Sequence, residues 1–382
     1  MSFVAGYYST KFGEIWEKSL FDLVKEAVKG LLKKTKIKKE KVDAVFFGNM
    51  LSGVLENNLH TSAKIAEILA LNIPIFRVEA ACASGGAAFN LAFNYLDAKK
   101  GMTVLVIGAE KMTDYSPEQV TSVLSSATSG EEQEAGLTFP GIYALIANYY
   151  LNKYKYSEKN LAYVSYKNHN HGSLNNKAHF RKKITIEDVL KSAYVAYPLK
   201  VLDSSPISDG AAAVLLTNDE KIVKKGKSVK VLASELITDT ISLKNRENFD
   251  EIKATKIASD LAFKKSGLKR EDIDVAEVHD CFSIAEIIAM EDLGFWKKGQ
   301  GGEEIKKLST MFESDKRPIV NTSGGLKAAG HPVGATGIKQ IGEIYLQLTS
   351  QAKQRQVKGA KYGLAHNVGG SGGTAVVTIL GI

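Results

Sequence analysis

Residues 252–279, IKATKIASDLAFKKSGLKREDIDVAEVH, follow the same plan as residues 20–48, LFDLVKEAVKGLLKKTKIKKEKVDAVFFG. Each stretch has apolar residues at helical spacing, then a short basic turn, then an aspartate and a run of β-forming residues. Aligning Asp43 with Asp274 gives an offset of roughly 231 residues, a long period of the kind that a duplicated domain leaves. The sequence therefore predicts two α/β halves of one design, with mixed, largely parallel sheets covered by helices.

Two further pairs of segments extend the duplication. TVLVIGAE at 103–110 matches KYGLAHNV at 361–368, and PISDGAAAVLLTN at 206–218 matches GGSGGTAVVTILG at 369–381. The offset falls from about 259 to about 163, which indicates an insertion of roughly 96 residues in the first half, because loops accept insertions more readily than core strands. The small residues of the last pair predict strands that pack closely against a central helix.

Composition argues against several classes of protein. The chain has 382 residues and 44% hydrophobic content, enough for two or three domains with a sizeable core. We expect no membrane contact and no secretory signal, because no run approaches the roughly 18–20 apolar residues of a membrane span and the first residues lack a basic start before an apolar run. The two cysteines favour a reducing, cytoplasmic compartment, although they could pair with each other. The net charge of +8 suits an anionic partner or a lysine-rich surface, and the lack of basic motifs with interleaved aromatic residues argues against nucleic acid.

Cys82 follows a β-rich run and precedes a helical pattern of small and apolar residues, so it is predicted near a helix N-terminus. Backbone N–H groups there would favour a thiolate and lower the pKa of the thiol. A nucleophilic cysteine and a buried structural cysteine both fit this pattern.

The other cysteine, Cys281, lies in EVHDCFSIAE (277–286), two residues after His279. Another histidine, His331, lies in GGLKAAGHPVGATG (324–337), where glycines permit close approach and Pro332 stiffens the turn. A catalytic and a structural histidine both remain open, and the rigid turn favours the catalytic one.

Two other motifs carry weaker signals. The loop AHNVGGSGG (365–373) is followed by a strand-like run, so it does not predict dinucleotide binding, and its backbone N–H groups suit an oxyanion. The inserted segment contains His169, His171 and His179 without a carboxylate or thiol at ligand-like spacing, so no metal site is predicted.

Together these strings resemble the thiolase family, in particular its sterol-carrier-protein-2-type and archaeal branch. The resemblance is carried by Cys82-x-Ser84, HDCF, GHPVGATG and Asn367-x-Gly369-Gly370, with GAEKMT (108–113), SYKNHNH and SDGAAAVLL between them. It implies an α/β thiolase fold, with duplicated five-stranded α/β halves in a five-layered α-β-α-β-α arrangement and an inserted loop domain. The implied domains are an N-terminal thiolase half (residues 1–115 and 200–222), an inserted loop domain (116–199) and a C-terminal thiolase half (223–382).

The resemblance also implies roles, because thiolases join or split acyl groups carried on coenzyme A. Cys82 is the implied nucleophile that holds the acyl group as a thioester, and His331 activates it. Most thiolases carry their second thiol in a C-x-G motif, where this chain has Asn367. The chain has no third cysteine, so the acid/base role is expected of Cys281.

Oxyanion donors are implied as well. His279 and His331 are expected to stabilise the enolate, and the backbone N–H groups of Cys82 and Gly369 the tetrahedral intermediate. Tyr166, His169, His171 and Ser323 are the residues expected to contact coenzyme A, with no metal. Coenzyme A thioesters are expected as substrates, with no tightly bound cofactor.

The implied activity is that of an acetyl-CoA C-acetyltransferase, which condenses two acetyl-CoA to acetoacetyl-CoA and coenzyme A. The alternatives are a degradative 3-ketoacyl-CoA thiolase of longer chains, a thiolase-like aldolase, a β-ketoacyl synthase, and a non-catalytic scaffold or lipid-carrier subunit. Retention of both thiols argues against the aldolase. Implied partners are a second copy, as a homodimer or dimer of dimers, and a complex with 3-hydroxy-3-methylglutaryl-CoA (HMG-CoA) synthase and a small zinc-containing OB-fold protein, which would draw acetoacetyl-CoA into the mevalonate pathway of isoprenoid biosynthesis.

Overall fold

A computed structural model describes residues 1–224 and 226–382 of the chain. The strands in these ranges are β1 (Phe3–Ser9), β2 (Ala44–Gly48), β3 (Ile75–Val78), β4 (Thr103–Glu110), β5 (Tyr194–Ala196), β6 (Leu199–Lys200), β7 (Gly210–Thr217), β8 (Val229–Thr238), β9 (Val275–Glu277), β10 (Ile319–Val320), β11 (Tyr362–Gly369) and β12 (Thr374–Gly381). The helices are α1 (Leu20–Thr35), α2 (Thr61–Leu69), α3 (Ser84–Leu96), α4 (Pro117–Ser125), α5 (Gly130–Glu134), α6 (Phe139–Tyr154), α7 (Glu158–Ser173), α8 (Ile186–Lys191), α9 (Glu220–Val223), α10 (Lys253–Ser266), α11 (Ser283–Asp292), α12 (Gly301–Lys306), α13 (Gly325–Ala329) and α14 (Thr336–Leu348).

The main sheet repeats itself about its middle. Its strand order is β10-β9-β11-β12-β8-β1-β7-β4-β2-β3, so five strands from each half lie on either side of the β8–β1 junction. Corresponding pairs have the same direction: β2–β3 and β9–β10 are parallel, whereas β4–β7 and β11–β12 are antiparallel. The duplication predicted from the sequence is therefore confirmed.

Two features of the sheet differ from the sequence prediction. The halves are joined into one ten-stranded sheet by a short antiparallel contact in which Phe3 pairs with Lys230 and Val4 with Val229. The sheet is mixed but not largely parallel, because a tight turn at 370–373 returns β12 directly beside β11 and so forces an antiparallel pair.

Helices cover both faces of each half, which confirms the five-layered arrangement. The central layer is α3 and α14, whose Phe89 and Ile341 belong to one buried cluster with strand residues of both halves. The outer layers are α1, with Leu23 and Val24 in the core against the first half, and α10, with Phe263 against the second. Small residues of β7, such as Ala212, pack in the same buried cluster as α3 and α14, as predicted. The two central helices also approach each other so closely that a Cβ on Gly337 would overlap the Gly86 nitrogen.

Local sequence explains how the outer helices begin and end. Ser19 caps α1 because its hydroxyl accepts the Asp22 N–H while the Asp22 carboxylate accepts the Ser19 N–H. Gly267 ends α10 with φ of 71°, a left-handed conformation that glycine adopts without strain.

Helices α4–α8 and strands β5 and β6 lie between β4 and β7, where the sequence indicates an insertion. Apolar residues of α6, among them Ile142 and Ile146, pack with Ile284 and Ile287 of α11 in one buried cluster. The inserted helices thus cover the face of the second half that carries Cys281, while the domain boundaries themselves stay a prediction. Within residues 1–224 and 226–382, no helix is both long and apolar enough to span a membrane.

Candidate active site

A cavity of about 460 Å³ brings together residues from distant parts of the chain. Cys82, Cys281 and His331 line it, and apolar side chains of the inserted helices, such as Phe139, form much of its wall. Both cysteines are free thiols. The predicted convergence of the two thiols with His331 is therefore present, whereas the role of each group stays a prediction.

Cys82 lies two residues before α3, close to the helix N-terminus as predicted. Burial raises the pKa of its thiol to about 12, although the N–H of Gly370 faces the sulfur and acts in the opposite direction. The expected lowering of this pKa by the helix terminus is therefore wrong for the free protein, because loss of hydration outweighs the backbone donors. Gly369, the residue expected to donate its N–H to the tetrahedral intermediate, directly precedes Gly370, and that role stays a prediction.

His331 is held in one orientation by its neighbours. Gly330 has φ of 99°, and a Cβ at this position would lie 2.8 Å from Ser208 Oγ, so only glycine fits before the imidazole. The Thr336 hydroxyl donates to the Pro332 carbonyl at 3.0 Å, so its oxygen accepts from His331 Nδ1 at 2.7 Å. This arrangement puts the ring proton on Nδ1 and leaves Nε2 as an acceptor. Burial lowers the pKa of His331 to about 3, which keeps the imidazole neutral.

His279 is oriented by Asn367, the residue at the position of the missing C-x-G cysteine. The two amide hydrogens of Asn367 face the Cys82 carbonyl at 3.0 Å and His279 Nδ1 at 3.3 Å, and its oxygen accepts the Gly86 N–H at 3.1 Å. His279 Nδ1 is therefore the acceptor, and Nε2 carries the proton. Among the described residues, buried His279 Nε2 has no hydrogen-bond partner, so it is a free donor in the site.

Cys281 follows β9 at the start of the segment that leads into α11. Its carbonyl accepts the Ser205 N–H at 2.8 Å, and its thiol is buried. Burial and the neighbouring Cys82 raise the pKa of Cys281 to about 12, while the nearby Tyr143 hydroxyl and the Lys327 ammonium act in the opposite direction. The two thiols therefore influence each other's ionisation.

Two buried carboxylates fix the loops that carry these groups. Asp280 accepts the Leu326 N–H at 2.7 Å and the Asn168 amide at 2.7 Å, which ties the Cys281 segment to the segment leading to His331. Glu110, at the end of β4, accepts the Gly334 N–H at 3.0 Å and so holds the glycine-rich loop against the first half. Because the loops come from both halves, the site exists only where the halves meet.

The free site is electrically neutral at its centre. Burial disfavours the thiolates of both cysteines and the imidazolium of His331, and it also lowers the pKa of His279 well below its usual range, with His331 adding to the effect. Charge can therefore appear there only transiently, next to the fixed donors.

Cys82 Sγ and ring nitrogens of His279 and His331 all lie within 4.8 Å of one another. In residues 1–224 and 226–382, this is the one group of such side chains close enough to hold a metal ion. The same spacing suits proton transfer and acyl transfer, and the absence of a metal stays a prediction.

Of the four residues predicted to contact coenzyme A, the structure places one at the cavity and three away from its lining. His169 lines the cavity, where its ring stacks on Phe180 at 6.0 Å. Tyr166 is half-buried on the same helix and does not line it. His171 is buried, with Nδ1 3.1 Å from the Asn321 carbonyl and Nε2 accepting the Phe312 N–H at 3.3 Å, so both nitrogens are used internally. Ser323 is buried against Glu277 and lies outside the cavity.

Three residues that shape the site were not assigned roles from the sequence. Thr336 and Asn367 belong to quoted motifs, GHPVGATG and Asn367-x-Gly369-Gly370, and their polar side chains within glycine-rich strings were the available signal. Tyr143 carries no such signal, because it is one of several aromatic residues in an apolar helix.

Comparisons with known proteins agree with this geometry. Family models described as "Thiolase, N-terminal domain" and "Thiolase C-terminal domain-like" match residues 2–220 and 234–382. The chain is 44% identical over 386 residues to an acetyl-CoA acetyltransferase of Methanocaldococcus jannaschii, covering 99% of this chain and 98% of that protein. It is 31% identical over 394 residues to sterol carrier protein 2 of Oryctolagus cuniculus, covering 99% of this chain and 71% of that protein. A solved structure titled "Ltp2-ChsH2(DUF35) aldolase" superposes with a TM-score of 0.85 over 100% of this chain and 97% of that one, and at 20% identity it supports the fold alone.

Proposed function

Because the chain belongs to the thiolase family of acyltransferases, we propose that it condenses two acetyl-CoA molecules to acetoacetyl-CoA and coenzyme A through a thioester on Cys82. The observation that carries the proposal is the meeting of two thiols and His331 at one cavity, next to His279. The identity of 44% with an acetyl-CoA acetyltransferase over nearly the whole chain supports the same activity.

The first half-reaction forms the acyl-enzyme. Cys82 gives its proton to Nε2 of His331, the nitrogen left free by the bond between Nδ1 and Thr336, and its sulfur attacks the carbonyl carbon of acetyl-CoA. The tetrahedral oxyanion receives hydrogen bonds from backbone N–H groups of Cys82 and of the Gly369–Gly370 turn. The carbon–sulfur bond to coenzyme A then breaks, and only afterwards does the released coenzyme A thiolate take the proton of Cys281, which becomes a thiolate.

The second half-reaction forms the carbon–carbon bond. The Cys281 thiolate removes an α-proton from a second acetyl-CoA, and the Nε2–H groups of His279 and of protonated His331 stabilise the enolate oxygen. The enolate carbon attacks the thioester on Cys82. Collapse of this intermediate releases acetoacetyl-CoA, and the Cys82 sulfur recovers its proton from His331, so every group returns to its starting state.

Fixed donors supply the stabilisation that a buried site cannot obtain from water. Each donor aimed at a developing oxyanion typically contributes about 3–4 kcal/mol to the transition state. His279 Nε2 suits this role because it is buried and, in the described part of the chain, lacks a partner. The Nε2–H of His279 can therefore bond to the substrate without breaking an existing hydrogen bond.

Coenzyme A thioesters are the proposed substrates, and the reaction needs no tightly bound cofactor. His169 lines the cavity and Tyr166 lies on the same helix, so these two are kept as proposed coenzyme contacts, whereas His171 and Ser323 are not. The apolar wall of the cavity, with Leu124 and Phe139, favours a degradative thiolase of longer chains as the second candidate.

We also propose the assembly and cellular role that the family suggests. The outer strand β3 is an open sheet edge with Phe76 44% exposed, which suits pairing with a second copy. Exposed Tyr194 and Tyr197 lie beside Val195 at the cavity mouth, which supports docking of a partner such as an OB-fold protein bridging to HMG-CoA synthase in the cytoplasm. Co-purification of the three proteins tests that complex. Limited proteolysis tests the proposed domain boundaries, which give the segments 1–115, 116–199, 200–222 and 223–382.

A coupled assay separates the candidate functions. Acetoacetyl-CoA and free coenzyme A should be converted to acetyl-CoA, with a lower kcat/KM for 3-ketoacyl-CoA of longer chains, and Cys82→Ser should abolish the reaction. A preference for longer chains would favour the degradative enzyme. Cleavage of a β-hydroxyacyl-CoA without thiolysis would favour the aldolase, and unchanged cellular function of Cys82→Ala would favour a scaffold.

A further inference from the structure

The Tyr143 hydroxyl is a buried titratable group at the active cavity that the mechanism above does not use. Tyr143 lies on α6 of the inserted segment and is 2% exposed. Its ring stacks on Phe282 with 4.8 Å between centroids, which fixes the direction of the hydroxyl. The hydroxyl donates to the Gly370 carbonyl at 3.2 Å. Tyr143 and Cys281 both line the cavity and belong to one buried cluster, so the hydroxyl and the thiol are neighbours.

The hydrogen-bond partner of the Tyr143 hydroxyl depends on whether Cys281 is a thiol or a thiolate. Tyr143 has a single hydroxyl hydrogen, and the Gly370 carbonyl can only accept it. While Cys281 is a thiol, Tyr143 donates to the Gly370 carbonyl. Once Cys281 is a thiolate, the sulfur can only accept, so the hydroxyl turns from the carbonyl to the sulfur. Rotation of the hydroxyl about the C–O bond of Tyr143 therefore moves its hydrogen from the Gly370 carbonyl to the Cys281 sulfur when the thiol is deprotonated.

The contact with Gly370 links the same hydroxyl to the nucleophile. The N–H of Gly370 faces Cys82 Sγ, so the turn that Tyr143 holds is the turn that supports this sulfur. Arg246 holds the next residue of the turn, Ser371, with a bond of 3.1 Å to its hydroxyl and a second to its carbonyl. Since Arg246 fixes the turn independently, loss of the Tyr143 hydroxyl should leave the turn in place and remove mainly the contact to Cys281.

We propose that Tyr143 is a positioning residue for Cys281, whose hydroxyl donates to the thiolate and thereby increases the rate of α-proton removal. This inference rests on the proposed function, because it requires Cys281 to act as acid and base. Hydrogen bonds to a charged partner are stronger than those between neutral groups. Removal of the hydroxyl should therefore slow α-proton exchange by about 10- to 150-fold.

Charged and titratable groups act on the pair from several elements. Cys82, Asp280 and Lys327 act on Cys281 from the first half, its own segment and α13, and Arg246 acts on Tyr143. None of these is altered by replacing tyrosine with phenylalanine. A change in the pH dependence of exchange in Tyr143→Phe would therefore report on the lost hydroxyl.

The experiment compares Tyr143→Phe with Tyr150→Phe in the full chain. Tyr150 is a matched control because it lies on the same helix, is fully buried, and donates its hydroxyl to Glu291 at 2.5 Å, away from the cavity. Two rates are measured for each: acetylation of Cys82 by acetyl-CoA, followed by intact mass, and deuterium incorporation into the methyl group of acetyl-CoA in D₂O, followed by NMR from pH 6 to 10.

The inference predicts that Tyr143→Phe acetylates Cys82 within a few-fold of the wild-type rate, exchanges deuterium about 10- to 150-fold more slowly, and needs a higher pH to reach half its maximal exchange. Tyr150→Phe should match the wild type in both rates. Unchanged exchange in Tyr143→Phe overturns the inference, as does an equal fall of both rates without a shift in pH, which would mean that the hydroxyl is only structural. If the wild-type protein forms no adduct and exchanges nothing, the proposed function itself fails.

Discussion

Replacement of Thr336 by valine tests how His331 is prepared for catalysis. Thr336 is fully buried at the start of α14, and its hydroxyl accepts from His331 Nδ1 at 2.7 Å while donating to the Pro332 carbonyl at 3.0 Å. Valine keeps the shape and removes only the hydroxyl. The buried Nδ1–H then loses its partner, and the loss is greatest when His331 becomes an imidazolium.

The expected loss of rate is set by the hydrogen bond between Thr336 and the His331 imidazolium. A hydrogen bond to a charged group is worth about 1.5–3 kcal/mol, so acetylation of Cys82 should slow by about 10- to 150-fold in Thr336→Val. The assay is single-turnover acetylation by acetyl-CoA, quenched in acid and read by intact mass. Thr336→Ser, which retains a hydroxyl, should recover most of the rate.

A matched control is available in the same chain. Thr255 is also fully buried and bonded to a histidine, with its hydroxyl 2.9 Å from His366 Nε2, but this pair lies outside the cavity. Thr255→Val should therefore lose stability without losing the acetylation rate. Wild-type acetylation by Thr336→Val would refute the assignment of His331 Nε2 as the base.

Three further predictions concern the turn before His331, the proposed nucleophile and two buried histidines outside the proposed chemistry. Gly330→Ala should lower kcat/KM at least tenfold and the unfolding free energy by about 1–3 kcal/mol, because a Cβ would meet Ser208 Oγ at 2.8 Å where φ is 99°; kinetics and urea unfolding at wild-type values would contradict it. Acetyl-CoA should add one acetyl group to the wild-type protein and none to Cys82→Ser under the same conditions, and an undiminished adduct in the variant would place the nucleophile elsewhere. Burial lowers the pKa of His171 and His366 to about 3, so each takes up a proton on unfolding. Each should lower the unfolding free energy by up to about 1.4 kcal/mol per pH unit as the pH drops below about 6.5, which is about 2.7 kcal/mol per pH unit for the two. Denaturant titrations that give equal stability at pH 7 and pH 5 would contradict this prediction.

The sequence predicted those parts of the fold that leave a pattern along the chain. The shared plan of 20–48 and 252–279 corresponds to α1 followed by β2 and to α10 followed by β9. The joining of the halves through Phe3 and Lys230 was not predicted, because a two-residue contact between strand ends carries no periodicity. The antiparallel pairs were missed for a similar reason, since a short turn decides them and not the composition of the strands.

The sequence motifs identified residues of the site, but they did not predict the hydrogen bonds between those residues. Cys82, Cys281 and His331 stand in distinctive strings, and the structure brings them to one cavity. Asn367 bonds to Cys82 across 285 positions of the chain, and no pattern in a single sequence reports such a bond. The pKa of Cys82 could not be inferred either, because it depends on burial by the inserted helices, which outweighs the helix terminus.

Deuterium exchange into acetyl-CoA by Cys281→Ala tests whether Cys82 holds the acyl group while Cys281 removes the α-proton. We expect this variant still to accumulate the acetyl adduct on Cys82, detected by intact mass, but to incorporate no deuterium into the acetyl methyl group in D₂O and to make no acetoacetyl-CoA. Exchange at the wild-type rate by Cys281→Ala would contradict this expectation and would move the base to one of the histidines.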